Sequence, residues 1–116
     1  MNIEVVSMEI LITEIRAINQ RLEKGVGVVK EYEETLNTAA QAYEVAKAKA
    51  LQATSGTVAD REAQVTLAIT KEREALDAAR TAWNYAKAKL KHLESQLMST
   101  QSQLSAVKVT YMNGGE

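Results

Sequence analysis

Residues 57–111 carry the longest uninterrupted helical pattern in the chain, and this pattern constrains the fold more than any other feature. The segment contains neither glycine nor proline, and its apolar residues recur at alternating spacings of three and four. As one helix it would span roughly 80 Å at 1.5 Å per residue. A narrow apolar seam sustained over many heptads is typical of a helix that packs along one partner helix. The sequence therefore predicts a helical rod with a second helix beside it.

The seam of this segment can be assigned position by position. Apolar residues hold nearly all the a and d positions of its heptads, and the exceptions are Glu62, Glu72 and Thr100. The apolar seam residues are Val58, Val65, Ile69, Leu76, Ala79, Trp83, Ala86, Leu90, Leu93, Leu97, Leu104, Val107 and Tyr111. We expect the partner helix to cover these side chains.

The first half of the chain carries a matching seam. Its members are Met8, Leu11, Ile15, Ile18, Leu22, Gly25, Val29, Tyr32, Leu36, Ala39, Tyr43, Ala46, Ala50 and Ala53. The phase survives Gly25 and Gly27, although each glycine disfavours a helix by about 1 kcal/mol relative to alanine. We therefore predict one first helix, bent or broken near Gly25–Gly27. A chain reversal at these glycines, which would give three helices, is the alternative.

The two seams are separated by a short turn around Gly56. Gly56 can take the positive φ of a turn residue, and Thr57 followed by Asp60 has the pattern of a helix N-cap with an acidic group in the first turn. The sequence thus predicts an all-α fold: one long antiparallel two-helix coiled-coil hairpin. We expect helix one at about 3–53, the turn at about 54–57, helix two at about 58–111, and a flexible tail at 112–116. Because residues 3–6 and 107–111 are rich in β-branched side chains, a short strand pair at the open end is an alternative.

Side-chain size suggests the register of the hairpin. In the preferred register, large residues face small ones, and Gly25 lies opposite Leu90. A register shifted by one heptad would place Gly25 against Trp83. In the preferred register Tyr43 also lies near Glu72, so we expect the tyrosine hydroxyl to bond the seam carboxylate.

Apolar residues at the open end of the hairpin exceed what the seam requires. A two-helix seam buries each side chain only in part, so a lone hairpin gains little from burial. Apolar groups clustered outside a seam indicate a second contact. We predict a homo-oligomer, with a dimer that forms a four-helix bundle favoured, through Ile3, Val6, Ile10, Ile12 and Met98.

Composition and charge indicate in which cellular compartment we expect the protein. The chain has no cysteine, which agrees with a reducing cytoplasm, and its net charge of -1 creates no general attraction for nucleic acid or anionic membranes. No segment has the features of a signal peptide or the roughly eighteen consecutive apolar residues of a membrane span. We expect a cytoplasmic protein without membrane contact.

Residues that could support catalysis are sparse. His92 is the only histidine and has no ligand at metal-binding spacing, and neither a dinucleotide-binding glycine motif nor a phosphate loop occurs. We therefore predict no enzyme activity, no catalytic residues, no cofactor and no metal.

Basic residues concentrate at one level of the preferred register. They are Arg21, Lys24, Lys30, Lys87, Lys89 and Lys91. Such a cluster could bind the phosphate oxygens of nucleic acid, although the same residues would also suit a solvated helix face. The sequence leaves both interpretations open.

The runs YEVAKAKALQATSGTVADREAQV and LKHLESQLMSTQSQLSA give the chain a family resemblance. Over residues 43–106 it resembles a group of small helical bacteriophage proteins from the early region, mostly of unknown function. The resemblance implies a phage origin, the host cytoplasm as its location, and a role in binding. We therefore expect an adaptor that presents an oligomeric helical rod to a host or phage protein and modulates recombination or defence. A nucleic-acid or nucleotide-binding accessory protein and a structural component of a phage assembly are the alternatives.

Overall fold

The computed structural model describes the backbone of residues 3–114 and the side chains of residues 8–110, 112 and 113. This part of the chain contains three helices and no strand: α1 (Ile3–Gln52), α2 (Val58–Ala68) and α3 (Thr70–Gly114). Helices α2 and α3 follow each other almost without interruption and return along α1. The predicted all-α antiparallel helical hairpin is therefore confirmed.

The hairpin consists of two compact units. Residues up to Gly27 and from Lys87 onwards form the open-end unit, and residues from Val28 to Ala86 form the turn unit. Each unit pairs a stretch of α1 with the returning chain. The two are described separately below.

The predicted seam forms the core of both units. In the turn unit the buried apolar residues are Val65, Ile69, Leu76 and Ala86, and in the open-end unit they are Leu11, Ile18 and Leu93. Among the side chains that the structure describes, every buried one occupies a predicted seam position. Thr100, a polar exception in the seam, is also buried, and its hydroxyl donates a hydrogen bond to the carbonyl of Gln96 at 2.8 Å. This local bond allows a polar residue to sit in the apolar seam without an unmade hydrogen bond.

Helix α1 is continuous through its two glycines. It contains Gly25 and Gly27 as interior residues, so the chain does not reverse there and the alternative of a reversal is wrong. A Cβ atom added to Gly25 would lie 2.9 Å from Cδ1 of Leu90. The open-end unit therefore has the preferred register, because the shifted register would have placed Trp83 there.

The turn between α1 and α2 is held by local hydrogen bonds. Gly56 has φ 103°, a conformation that glycine adopts without strain. The Thr57 hydroxyl accepts a bond from the backbone N–H of Asp60 at 3.2 Å, and the Thr57 N–H donates to the Asp60 carboxylate at 3.3 Å. This reciprocal capping box confirms the predicted helix start.

A second pair of bonds in the turn involves a residue that the sequence interpretation did not single out. The side-chain amide of Gln64 accepts a bond from the Ser55 N–H at 3.3 Å and donates to the Ser55 carbonyl at 2.9 Å. One side chain thus satisfies both backbone groups of a turn residue. Gln64 ties the loop to the second turn of α2.

The returning arm is interrupted at Ile69, where the sequence predicts one helix. Ile69 has φ -108° and ψ 14°, outside the helical region, and separates α2 from α3. The hydroxyls of Thr66 and Thr70 donate to backbone carbonyls four residues earlier, at 2.9 Å and 3.1 Å, and Thr70 also reaches the carbonyl of Leu67 at 3.2 Å. Side-chain bonds of this kind compete with the backbone ladder and bend helices. The same bond at Thr100 leaves α3 continuous, so these bonds accompany the interruption at Ile69 but do not by themselves explain it.

Both ends of the hairpin are helical. Residues 3–6 begin α1 and residues 107–111 lie within α3, so the alternative of a strand pair is wrong. Residues 112–114, which the sequence analysis assigns to a flexible tail, are helical, because α3 continues to Gly114. The last two residues, 115 and 116, lie outside the described residues.

Candidate functional site

The titratable residues of the described chain do not assemble into a metal site. No three His, Cys, Asp or Glu side chains among the described residues come close enough to hold an ion. His92 is exposed on α3. No helix within residues 3–114 has a segment long and apolar enough to cross a membrane.

Glu72 is the unusual carboxylate of the seam. Its Oε2 is buried and has no hydrogen-bond partner, so the bond expected from the Tyr43 hydroxyl is wrong for this oxygen. Glu72 borders an open groove of about 450 Å³ that is lined by one face of α1, including Ala42, Ala46 and Lys49. The neighbouring Ala42 and Ala46 flank the level of Tyr43, so the register is as predicted even though the bond is absent. The first turn of α3, where Glu72 lies, favours a negative charge.

The six basic residues of the predicted patch are all exposed. Five of them, Arg21, Lys24, Lys87, Lys89 and Lys91, belong to the open-end unit, whereas Lys30 belongs to the turn unit. Lys87 and Lys91 are one helical turn apart and share a face of α3. Because successive helix residues are rotated by about 100°, Lys89 points to the opposite flank from Lys87. Helix geometry therefore divides the α3 part of the predicted patch between two flanks of that helix.

Arg21 lines a polar groove in the open-end unit. The groove has a volume of about 410 Å³, and it is bordered by Glu14, Ala17, Ile18, Arg21, Gln96, Ser99 and Thr100. Glu14 supplies a negative charge beside Arg21, so the groove has no strong net charge. The other basic residues of the patch do not line it.

The predicted self-association surface is partly described. Ile10 and Met98 are 53% and 68% exposed, and Ile12 is half-buried. The side chains of Ile3 and Val6 lie outside the described residues. The two exposed side chains belong to the open-end unit, where a contact with a second chain was predicted.

A largely apolar groove lies in the turn unit and was not predicted from the sequence. It has a volume of about 500 Å³, and its lining residues are Tyr43, Lys47, Leu51, Val58, Arg61, Glu62, Val65, Thr66, Ile69 and Arg73. We call it the turn groove. It begins at α2 and extends past the interruption at Ile69 to the first turn of α3.

The turn groove forms where the predicted seam fails to close. Val58, a predicted seam residue, is 73% exposed, and Ala53 and Glu62 are also exposed, so the seam prediction is wrong at the turn end. It is also wrong at Tyr32 of α1, which is 39% exposed. Val65 and Ile69, which are 9% and 2% exposed, are the first seam residues of the returning arm that are buried. The bonds that cap α2 at Thr57 fix where the helix begins and do not require Val58 to contact α1. The apolar seam of the turn unit is therefore uncovered at the turn end.

Basic residues outnumber acidic residues in the lining of the turn groove. Lys47, Arg61 and Arg73 line it against a single acidic residue, Glu62. All three cations are exposed, and none of them forms an ion pair with the described side chains, which are those of residues 8–110, 112 and 113. A sequence signal for this groove exists in the off-seam Leu51 and in the cations on either side of Gly56.

Comparisons with known proteins add no relative. No protein-family model, no curated protein and no solved structure matches the chain.

Proposed function

We propose that this chain is a non-enzymatic interaction protein that self-associates and presents its helical hairpin to a protein partner. The observation that carries the proposal is the exposure of large apolar side chains outside the seam. In the open-end unit, Ile10, Met98 and Val109 are each more than half exposed, at 53%, 68% and 58%. Apolar groups of this size on a thin two-helix unit favour a further contact, since burial removes them from water.

The same observation favours a dimer. A four-helix bundle lets each helix pack on two neighbours and covers side chains that a hairpin leaves exposed. Ile10 on α1 and Met98 on α3 would both contribute to such a bundle. Most soluble oligomers are symmetric, and a twofold axis would use the same surface on both chains.

Light scattering or sedimentation tests this self-association. We expect the wild-type chain at micromolar concentration to have twice the monomer mass, and the double substitution Ile10→Lys with Met98→Lys to have the monomer mass. Val26→Lys is the matched control, because Val26 is also an exposed apolar residue of the open-end unit, at 59%. A wild-type chain that is monomeric under these conditions would contradict the dimer.

The cellular role belongs to the same proposal. The resemblance of residues 43–106 to bacteriophage early-region proteins supports a partner in the recombination or defence machinery of a host cytoplasm. Recovery of that partner from host lysate should persist after nuclease treatment. A partner lost on nuclease treatment would instead favour the accessory role on nucleic acid.

Exposed cations support nucleic-acid binding as a second candidate function. Lys24 and Lys89 of the open-end unit are exposed and form no ion pair within the described residues. A labelled single-stranded oligonucleotide tests this candidate. Binding that falls steeply with salt, and that is lost when Lys87, Lys89 and Lys91 are all replaced by alanine, would support it.

A further inference from the structure

We infer that the turn groove is a docking site for an acidic amphipathic helix of a partner protein. This inference rests on the proposed function, because it assigns chemistry to the partner and a place to its contact. It uses residues of the turn unit, whereas the proposed dimer uses residues of the open-end unit.

The apolar part of the groove suits aliphatic side chains. Val65 and Ile69 are buried seam residues, while Leu51 and Val58 are exposed by 59% and 73% and form its accessible apolar walls. Peptide helices bind such grooves through side chains at positions i, i+3 or i+4, and i+7. The stretch of α1 that lines the groove, from Tyr43 to Leu51, rises by roughly 12 Å, which is about two turns of a docked helix.

The charges of the groove select an acidic partner. Lys47, Arg61 and Arg73 line it with only Glu62 to offset them, and these cations form no ion pair with any side chain that the structure describes. Glutamate and aspartate residues flanking the apolar positions of a docked helix would meet these cations. Opposite charges across an interface steer association and disfavour partners of the wrong sign.

Two other occupants fit the groove less well. A second copy of this chain, docked face to face through the same groove, would bring its own three cations against Lys47, Arg61 and Arg73. Single-stranded nucleic acid binds through stacked aromatic side chains, whereas aliphatic residues dominate this apolar lining and Tyr43 is its only aromatic residue. The groove chemistry therefore favours a polypeptide with acidic flanks.

A displayed library of random peptides, selected on the immobilised full-length chain, identifies the preferred occupant. We expect enrichment of peptides with apolar residues at i, i+3 or i+4, and i+7, flanked by Glu or Asp. Enriched peptides that lack acidic residues, or the absence of any enrichment, would overturn the inference.

Fluorescence anisotropy of an enriched peptide then locates its site. Val58→Glu should weaken binding by at least about tenfold, since it places a charge on an apolar wall. The fold should be unaffected, because Val58 is exposed and a glutamate in the first turn of α2 suits the helix dipole. Leu67→Glu is the matched control on the same helix, since Leu67 is 79% exposed and does not line the groove, and it should leave binding unchanged.

A charge-reversal pair tests the electrostatic part. Arg61→Glu combined with Arg73→Glu should weaken the same peptide by at least about tenfold, whereas Lys71→Glu, at an exposed site outside the groove, should not. Equal effects of both changes would overturn the assigned charge selection.

The remaining outcomes separate this inference from the proposed function. Peptide binding that is insensitive to Val58→Glu would overturn the groove assignment and leave a protein-binding function in place. A halved chain mass for Val58→Glu in light scattering would show that a second copy occupies the groove, which also overturns the inference. Competition by a labelled oligonucleotide that is lost in the Arg61 and Arg73 variant would do the same and would favour nucleic acid. A nuclease-resistant protein partner that is absent even for the wild-type chain would instead contradict the proposed function itself.

Discussion

Gly25 of α1 lies directly against the side chain of Leu90 on α3. A Cβ atom added to Gly25 would be 2.9 Å from Leu90 Cδ1, closer than real Cβ atoms approach other atoms. The absence of a side chain at Gly25 thus lets α1 and α3 approach each other closely at this level. Around the Cβ position of Gly27, two residues later, no heavy atom lies within 4 Å apart from its chain neighbours and the backbone of its own helix.

This difference predicts that larger residues change the free energy of unfolding differently at Gly25 and at Gly27. Gly27→Ala should raise the free energy of unfolding by about 0.5–1 kcal/mol, because alanine favours a helix and meets open space. Gly25→Ala should gain less, because the terminal methyl of Leu90 must move. Gly25→Leu should lower the free energy of unfolding by about 1–3 kcal/mol through overpacking. Urea unfolding followed by circular dichroism measures all three.

A gain in stability for Gly25→Leu comparable to that for Gly27→Leu would contradict the close contact. The Gly27→Leu variant is the control, since it adds the same side chain to the same helix at a site without neighbours.

Glu72 predicts a stabilising substitution in the seam. Its Oε2 is buried without a hydrogen-bond partner, which destabilises the fold by roughly 1–3 kcal/mol. The helix dipole at the start of α3 stabilises the negative charge by about 0.3–1 kcal/mol. Glu72→Leu removes the unpartnered oxygen and adds apolar surface to the seam. We expect the free energy of unfolding to rise by about 1–2 kcal/mol in thermal or urea unfolding.

Glu72→Gln separates charge from polarity. It keeps the size and polar character of the side chain, so it should change stability much less than leucine does. A destabilising Glu72→Leu would show that the carboxylate has a partner in solution.

We expect substitution of Gln64 to destabilise the fold, because its side chain holds the turn. Its amide bonds both backbone groups of Ser55, at 3.3 Å and 2.9 Å. Gln64→Ala should lower the free energy of unfolding by about 1–2 kcal/mol, since these bonds are exposed and each contributes modestly. Gln101→Ala, at an exposed site within α3, is the control and should have little effect. Faster amide exchange at Ser55 in the Gln64 variant, but not in the control, would assign the loss to the turn.

The ion pair between Asp77 and Arg80 predicts almost no contribution to stability. The two groups are 3.7 Å apart, and their side chains are 63% and 56% exposed, so water and salt screen the attraction. A double-mutant cycle with Asp77→Asn and Arg80→Gln should give a coupling of less than about 0.5 kcal/mol. A coupling above about 1 kcal/mol at physiological salt would contradict this estimate.

The sequence predicts features that depend on periodicity or on local bonding. Leu76 and Leu93 are buried because the heptad places them on one face, and the Thr57 cap forms because its partner Asp60 is three residues away. The register can also be predicted from the sequence, because the large side chain of Leu90 requires a small residue opposite it, and Gly25 is that residue.

Features that depend on tertiary geometry could not be predicted in the same way. Helix periodicity is the same on both sides of Ile69, and only the hydroxyl bonds of Thr66 and Thr70 accompany the interruption. Val58 is 73% exposed although its heptad position belongs to the seam, because heptad periodicity does not specify which residues are covered at the end of a hairpin. The turn groove includes this exposed residue, and the off-seam Leu51 and the cations on either side of Gly56 are the only signals that the sequence offers for it. Likewise, Tyr43 could be placed at the level of Glu72 but not within bonding distance of it.

The bonds that join Ser55 and Thr57 to Asp60 and Gln64 have a consequence for how the chain folds. They connect residues at most nine positions apart, so closing this loop costs little entropy and requires no contact between distant segments. The reversal can therefore nucleate first, and each further layer of the seam can then form next to one already in place. We therefore expect the seam layers farthest from the turn to form last.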